Sequence, residues 1–206
     1  MTVREWRLPA ALILLGLIPM LAGTVRLTEL STGPEVTEAN ARFVADPLPV
    51  VLHIVGAVVY IILGAFQFVP RLRRHGWHRR VGRLLVPCGL TVAFSGVWMA
   101  FAYDLPAQDN DVLAGMRLVF GSIMAGSILL GLAAALRRDI PRHRRWMVRG
   151  YAIGLGAGTQ AFTHAPYVLA TGGQPDGNVR AALVVAGWLI NLAVAEWYLR
   201  RPAGLG

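Results

Sequence analysis

Lysine is absent from this chain of 206 residues, and cysteine occurs once, as Cys88. A single thiol excludes an intrachain disulfide. With no C-x-x-C-H run, a covalently attached c-type haem is excluded as well. Charge is scarce: 15% of residues are charged, where a soluble domain carries about a quarter. No H-E-x-x-H occurs, no Ser-His-Asp or Cys-His set falls at one depth, and no acidic pair lies within an apolar run. A proton or cation pump usually carries an intramembrane Asp or Glu, so that class recedes. The absence of lysine beside 20 arginines reads as composition bias rather than chemistry. The net charge of +9 would suit nucleic acid, but the basic residues sit in short loops between apolar runs, and nucleic acid is not expected as a partner.

What is present is apolar. Hydrophobic residues make up 55% of the chain, and the mean hydropathy is +0.53. Six segments approach or reach the ~20 residues that cross a bilayer: 8–25, 48–69, 84–103, 112–136, 147–170 and 181–199. The expected fold is therefore all-α, a single transmembrane domain over 1–206 with six transmembrane helices and a lipid bilayer as partner. Two connecting loops, 71–83 and 137–149, carry six arginines each, and Arg4, Arg7, Arg200 and Arg201 flank the outermost segments, so 16 of the 20 arginines fall on one side. The opposite loops are acidic, with Glu29, Glu35, Glu38, Asp46, Asp104, Asp109, Asp111 and Asp176. The positive-inside rule then puts both termini in the cytoplasm. Trp6, Trp77, Trp146 and Trp197 fall near the cytoplasmic boundary, as an aromatic belt does. The first helix has a basic start but a poor cleavage site at 20–24, and it is expected to stay uncleaved.

The middle of the chain reads as a duplication. Leu63-Gly64, a basic run and His78-Arg79-Arg80 are answered by Leu130-Gly131, a basic run and His143-Arg144-Arg145. Each is an outside-to-inside helix, a basic turn and an inside-to-outside helix. Two such hairpins predict a four-helix core with the first and last helices peripheral.

Candidate site residues fall into two clusters. His53 and His164 both lie ~8–9 Å below the outer face at about 1.5 Å per residue. An ionisable group inside a span marks a functional site by default. Two imidazoles at one depth suit the iron of a haem b. Gly56 and Ala57 beside His53 leave room for a flat macrocycle. Gln160 shares a face with His164, and Arg117, at similar depth, suits haem propionates or another acidic head group. The plainer readings are interhelical hydrogen bonding for the histidines and snorkelling or pairing with Asp111 for Arg117. The inner cluster is His75, His78 and His143. In a two-haem design His78 and His143 ligate a second haem, with Trp77 and Trp146 beside it; the simpler reading is a solvated basic interface next to anionic lipid. The glycines at 150, 154, 156 and 158 read as close helix packing. Met99, Met116, Met124 and Phe120 read as packing or lipid-facing residues, and Glu196 is expected to pair with Arg200 at i+4.

The run from His53 through 63–68, 73–83 and Ser95-Gly96 resembles the bacterial membrane family catalogued as domain of unknown function 2306. Residues 142–151 with 158–160 are similar to its second signature, and the likeness covers roughly 48–170. It implies a multi-helix membrane fold and a bacterial origin, and no activity. A looser likeness is to dihaem b-type cytochromes with four-helix cores, in which His53 and His164 would match one pair and His78 and His143 the other, although the inner pair lies at helix starts. The leading expectation is a b-type haem protein moving electrons, with quinone or a redox protein as partner. The competing expectations are a small-molecule transporter or lipid-binding protein, in which Arg117, His53 and Gln160 line a polar cavity, and a membrane scaffold or sensor.

Overall fold

The computed structural model describes residues 3–74 and 76–201, and the described residues form helices and no strands. In chain order the helices are α1 (Val3–Ser31), α2 (Ala41–Ala45), α3 (Pro47–Phe66), α4 (Pro70–Arg74), α5 (Trp77–Ala102), α6 (Asp111–Leu136), α7 (Ile140–Gly154), α8 (Gly156–Thr171) and α9 (Gly177–Arg200). Five of them, α1, α3, α5, α6 and α9, are long and apolar enough to cross a membrane. Their exposed side chains are largely Leu, Ile, Val and Phe, a surface suited to lipid.

Local sequence sets the helix ends. Pro47 opens α3, where its missing N–H costs nothing. The Asn110 side chain caps α6 by accepting from Leu113 N at 3.0 Å, and Asp111 follows in the first turn. Asp139 caps α7 by accepting from Arg142 N at 3.1 Å. Gly172, at φ +71°, stops α8 in the left-handed region that glycine adopts without strain.

The expected single helix over 147–170 is two helices. α7 and α8 meet end to end at Leu155, where the backbone pairs Gly158 N with Leu155 O at 3.0 Å in place of a continuing α-helical bond. A side chain of α9 bridges the break. Asn191 is buried there; its Nδ2 donates to the Ala152 carbonyl at 3.1 Å, and its Oδ1 accepts from Thr159 Oγ1 at 2.6 Å. One amide thus holds both sides of the break. The glycines at the break do more than favour packing: a Cβ on Gly156 would lie 2.2 Å from the Trp188 ring, and one on Gly158 would lie 2.2 Å from the Leu15 carbonyl oxygen of α1.

The largest buried cluster draws on α3, α5, α6 and α7, with Tyr60, Ile61, Val92, Phe120, Ile128 and Tyr151 at its centre. Tyr151 fills the space that Gly64 leaves, and its hydroxyl donates to Ile61 O at 2.8 Å. α1 packs on α3 and α8, and α9 packs on α6, α7 and α8.

Candidate functional site

A cavity of about 370 Å³ lies among α3, α5, α6, the end of α7, α8 and α9, beneath α2 and the loop that joins α5 to α6. That volume is in the range of small-molecule sites. Its deeper wall is apolar, with Val92, Phe120, Met124 and Trp188; its outer end holds Arg42, Asp104, Asp109, Arg117 and Arg180. Phe120 and Met124 are buried core residues and Met99 also lines the cavity, so these three face a void rather than lipid.

The outer end is organised by one carboxylate. The Asp109 side chain has no exposed surface; Oδ2 accepts from Arg117 Nη1 at 2.5 Å and Oδ1 from Arg180 Nε at 2.6 Å. Arg117 therefore pairs with Asp109, not with Asp111. Burial alone would push the Asp109 carboxyl up, but the two guanidiniums outweigh it and hold the group below the usual carboxylate range. Arg42 lies over the Phe43 ring at 4.5 Å and forms no ion pair among the described residues; burial pulls its pKa down, opposed by the nearby Asp109 charge. The loop that carries Asp109 is tied down by Gly177 N donating to Gln108 O at 3.0 Å and by Asn110 Nδ2 donating to Asn178 Oδ1 at 2.8 Å.

His53 reaches this cavity from α3. Its Nδ1 lies 3.0 Å from the Val92 carbonyl and 3.1 Å from Ser95 Oγ. A carbonyl only accepts, so Nδ1 carries a proton, and in the neutral form of the ring the lone pair is then on Nε2. Gly96 makes room for the ring: a Cβ there would stand 3.3 Å from His53 Cε1. Gln160 joins the lining, its Nε2 donating to Val184 O at 3.3 Å.

The structure thus brings His53, Arg117 and Gln160 to one cavity. His164 is not among the residues that line it. Its Nδ1 donates to the Gln160 carbonyl at 2.7 Å, one turn back on α8, and neighbouring Thr163 donates to Leu183 O at 2.8 Å. At the opposite end of the bundle His78 and His143 do meet, with ring centroids 6.3 Å apart and planes at 89°. His143 Nδ1 donates to Gly131 O at 2.9 Å, and His78 Nδ1 is buried with no partner. His75, the third member expected there, lies outside the described residues. Glu196 does not pair with Arg200: its two oxygens take Nε and Nη2 of Arg149 at 2.5 and 3.1 Å, joining α9 to α7. Among the described residues no group of three or more His, Cys, Asp and Glu side chains is placed to hold a metal ion.

Sequence reasoning missed Arg42, Arg180, Asp109 and Trp188. A signal was available: apart from the 16 arginines of the basic side, the chain has only Arg26, Arg42, Arg117 and Arg180, and three of these four line the cavity.

No curated protein and no solved structure matches the chain, and nothing in these comparisons supports the looser likeness to dihaem cytochromes. Residues 50–199, which include α4 through α8 and nearly all of α3 and α9, match the sequence model for predicted membrane proteins of the DUF2306 type. This match, over well more than half of the chain, places the chain in the DUF2306 family of predicted membrane proteins.

Proposed function

We propose that this protein is a small-molecule transporter or lipid-binding protein that takes an amphiphile into the cavity beneath α2. The observation that carries the reading is the cavity itself, apolar in its depth and cationic at its outer end. In this reading α7 and α8 together make a sixth crossing of a bacterial inner membrane, the hairpins α3–α5 and α6–α8 form a four-helix core, and both termini are cytoplasmic. A broken helix lining the cavity, through Gly154 on one side and Ala157 and Gln160 on the other, supports a transport role, because interrupted spans commonly border substrate sites. The test is calorimetric binding of 2-naphthalenemethanol to the protein in phosphatidylcholine nanodiscs, against Ala157→Phe. Binding by the wild type and its loss in the filled cavity is the expected result. Equal binding by both would remove the cavity from the account.

A second reading, haem b and electron transfer, is favoured by one observation at the other end of the bundle. Two imidazoles on opposite sides of one iron have nitrogens about 4 Å apart at ordinary metal–imidazole bond lengths. Ring centroids then stand about 6 Å apart, which matches the 6.3 Å between His78 and His143. The His143 Nδ1–H bond to Gly131 O leaves Nε2 free, as the outer hydrogen bond of a ligating histidine does. Haem there would supply one-electron chemistry, and the protein would hold it through these two rings. His53 faces the cavity and His164 bonds back to its own helix, so this reading rests on the inner pair, with quinone or a redox protein as partner. The measurement is a visible spectrum of protein expressed with haem supplied. A Soret band lost in His143→Ala is expected; no Soret band in the wild type would end the reading.

A further inference from the structure

The cavity's lining narrows the chemistry of what it binds, given the small-molecule reading above. Three guanidiniums, from Arg42, Arg117 and Arg180, face two carboxylates, from Asp104 and Asp109. With His53 neutral, this leaves one positive charge without a counterpart. Asp109 uses a single nitrogen of Arg117 and a single nitrogen of Arg180. Each guanidinium carries five N–H donors in a planar fork, so most donors of both remain, and the buried Asp109 charge lets the cations stand close together. Arg42, with no ion pair among the described residues, brings a third fork to the same space.

The deeper part has a shape of its own. Phe120 and Trp188 are stacked, with centroids 4.5 Å apart and planes at 21°, and both line the cavity. Gly96, Gly121 and Gly154 contribute backbone without side chain to the remaining lining. This aromatic pair offers a flat ring a face on which to stack in offset fashion.

We propose that the ligand is a flat, ring-bearing monoanion, its carboxylate or equivalent acid on the guanidiniums of Arg42, Arg117 and Arg180 and its ring stacked beside Phe120 and Trp188. Arginine suits this acid because its planar fork matches a carboxylate in a bidentate geometry. Arg42 sets the selectivity for charge, since Arg117 and Arg180 are already partly neutralised by Asp109.

The experiment compares three probes by calorimetry on the full chain in phosphatidylcholine nanodiscs, with empty nanodiscs subtracted: 2-naphthoate, 2-naphthalenemethanol and octanoate. We expect 2-naphthoate to bind about tenfold or more tightly than either of the others, the scale of one charge-assisted hydrogen bond. Arg42→Gln should cost 2-naphthoate about tenfold and leave 2-naphthalenemethanol unchanged. Because Arg42 holds no ion pair, this variant tests the site without dismantling the Asp109 cluster. The neutral alcohol binding as tightly as the acid would overturn the anion seat. Octanoate binding as tightly as the aromatic acid would overturn the ring stacking. Equal loss of both naphthalene probes in Arg42→Gln, or no loss of either, would overturn the role of Arg42. If no probe binds, the small-molecule reading itself falls, and this inference with it.

Discussion

Replacing Asp109 by Asn tests whether one buried carboxylate organises the outer end of the bundle. The substitution keeps shape and one carbonyl acceptor but removes the charge between Arg117 and Arg180. Stranding the partner of a buried ion pair costs about 3–5 kcal/mol. Here the two guanidiniums are 32% and 28% exposed and keep access to water, which lowers the expected loss to about 2–3 kcal/mol. The same carboxylate makes a pH prediction. Its folded pKa is depressed, so its stabilisation is complete above the ordinary carboxylate value of about 3.9 and is lost as pH falls below that toward the lower folded value. The assay is unfolding by SDS in mixed micelles, followed by tryptophan fluorescence, at pH 7 and in steps below pH 4. Asp109→Asn should be weaker than wild type at pH 7 and should lose less on acidification. A variant within about 0.5 kcal/mol of wild type at pH 7, with an unchanged acid profile, would refute the reasoning.

Three further outcomes follow from the packing. Asn191→Ala removes two bonds between helices, each worth about 0.6 kcal/mol on average and up to about 1.7 inside membranes; a loss of about 1–3 kcal/mol in the same SDS titration is expected, and none would mean the amide does not hold the α7–α8 break. Gly158→Ala should destabilise by about 1–3 kcal/mol, because its Cβ would meet backbone of α1, whereas Gly126→Ala meets nothing within 4 Å and should be neutral or stabilising; equal effects at the two sites would contradict the close α1–α8 contact. A double-mutant cycle on Arg149 and Glu196 should return a coupling of about 0.2–1 kcal/mol, since both side chains are partly exposed, while Arg200 and Glu196 should show almost none.

Hydropathy made the long helices legible. The expected segments at 48–69 and 112–136 match α3 and α6 within a few residues, because long apolar runs bounded by loop signals leave little choice. The break at Leu155 was not legible: glycines along a helix read as a packing stripe, and the amide that bridges the break lies 36 residues further on, at Asn191. Depth along a helix can be counted from sequence, and it grouped His53, His164 and Arg117, of which His53 and Arg117 line the cavity. Rotation about the helix axis cannot be counted, and it decides that His53 faces the cavity while His164 bonds back to its own helix. The plainer reading of Arg117 had it snorkelling or paired with Asp111, a neighbour in sequence. A loop folded back over the bundle offered Asp109 instead, and loop trajectories leave no periodic trace.

The grip of Asn191 on both halves of the broken segment also bears on biogenesis. α7 carries Arg142, Arg144, Arg145 and Arg149, and it is not one of the five helices apolar enough to insert on composition alone. The groups that complete it, the Asn191 amide and the Glu196 carboxylate, sit on α9, which is synthesised after both halves of the break. Until that helix is synthesised, the Ala152 carbonyl and the Thr159 hydroxyl wait in the nascent chain without these partners. A translation arrest before residue 177 would therefore leave both groups without the bonds that brace the break. The order of synthesis thus makes α9, which packs on α6, α7 and α8, the element that completes the joint between α7 and α8.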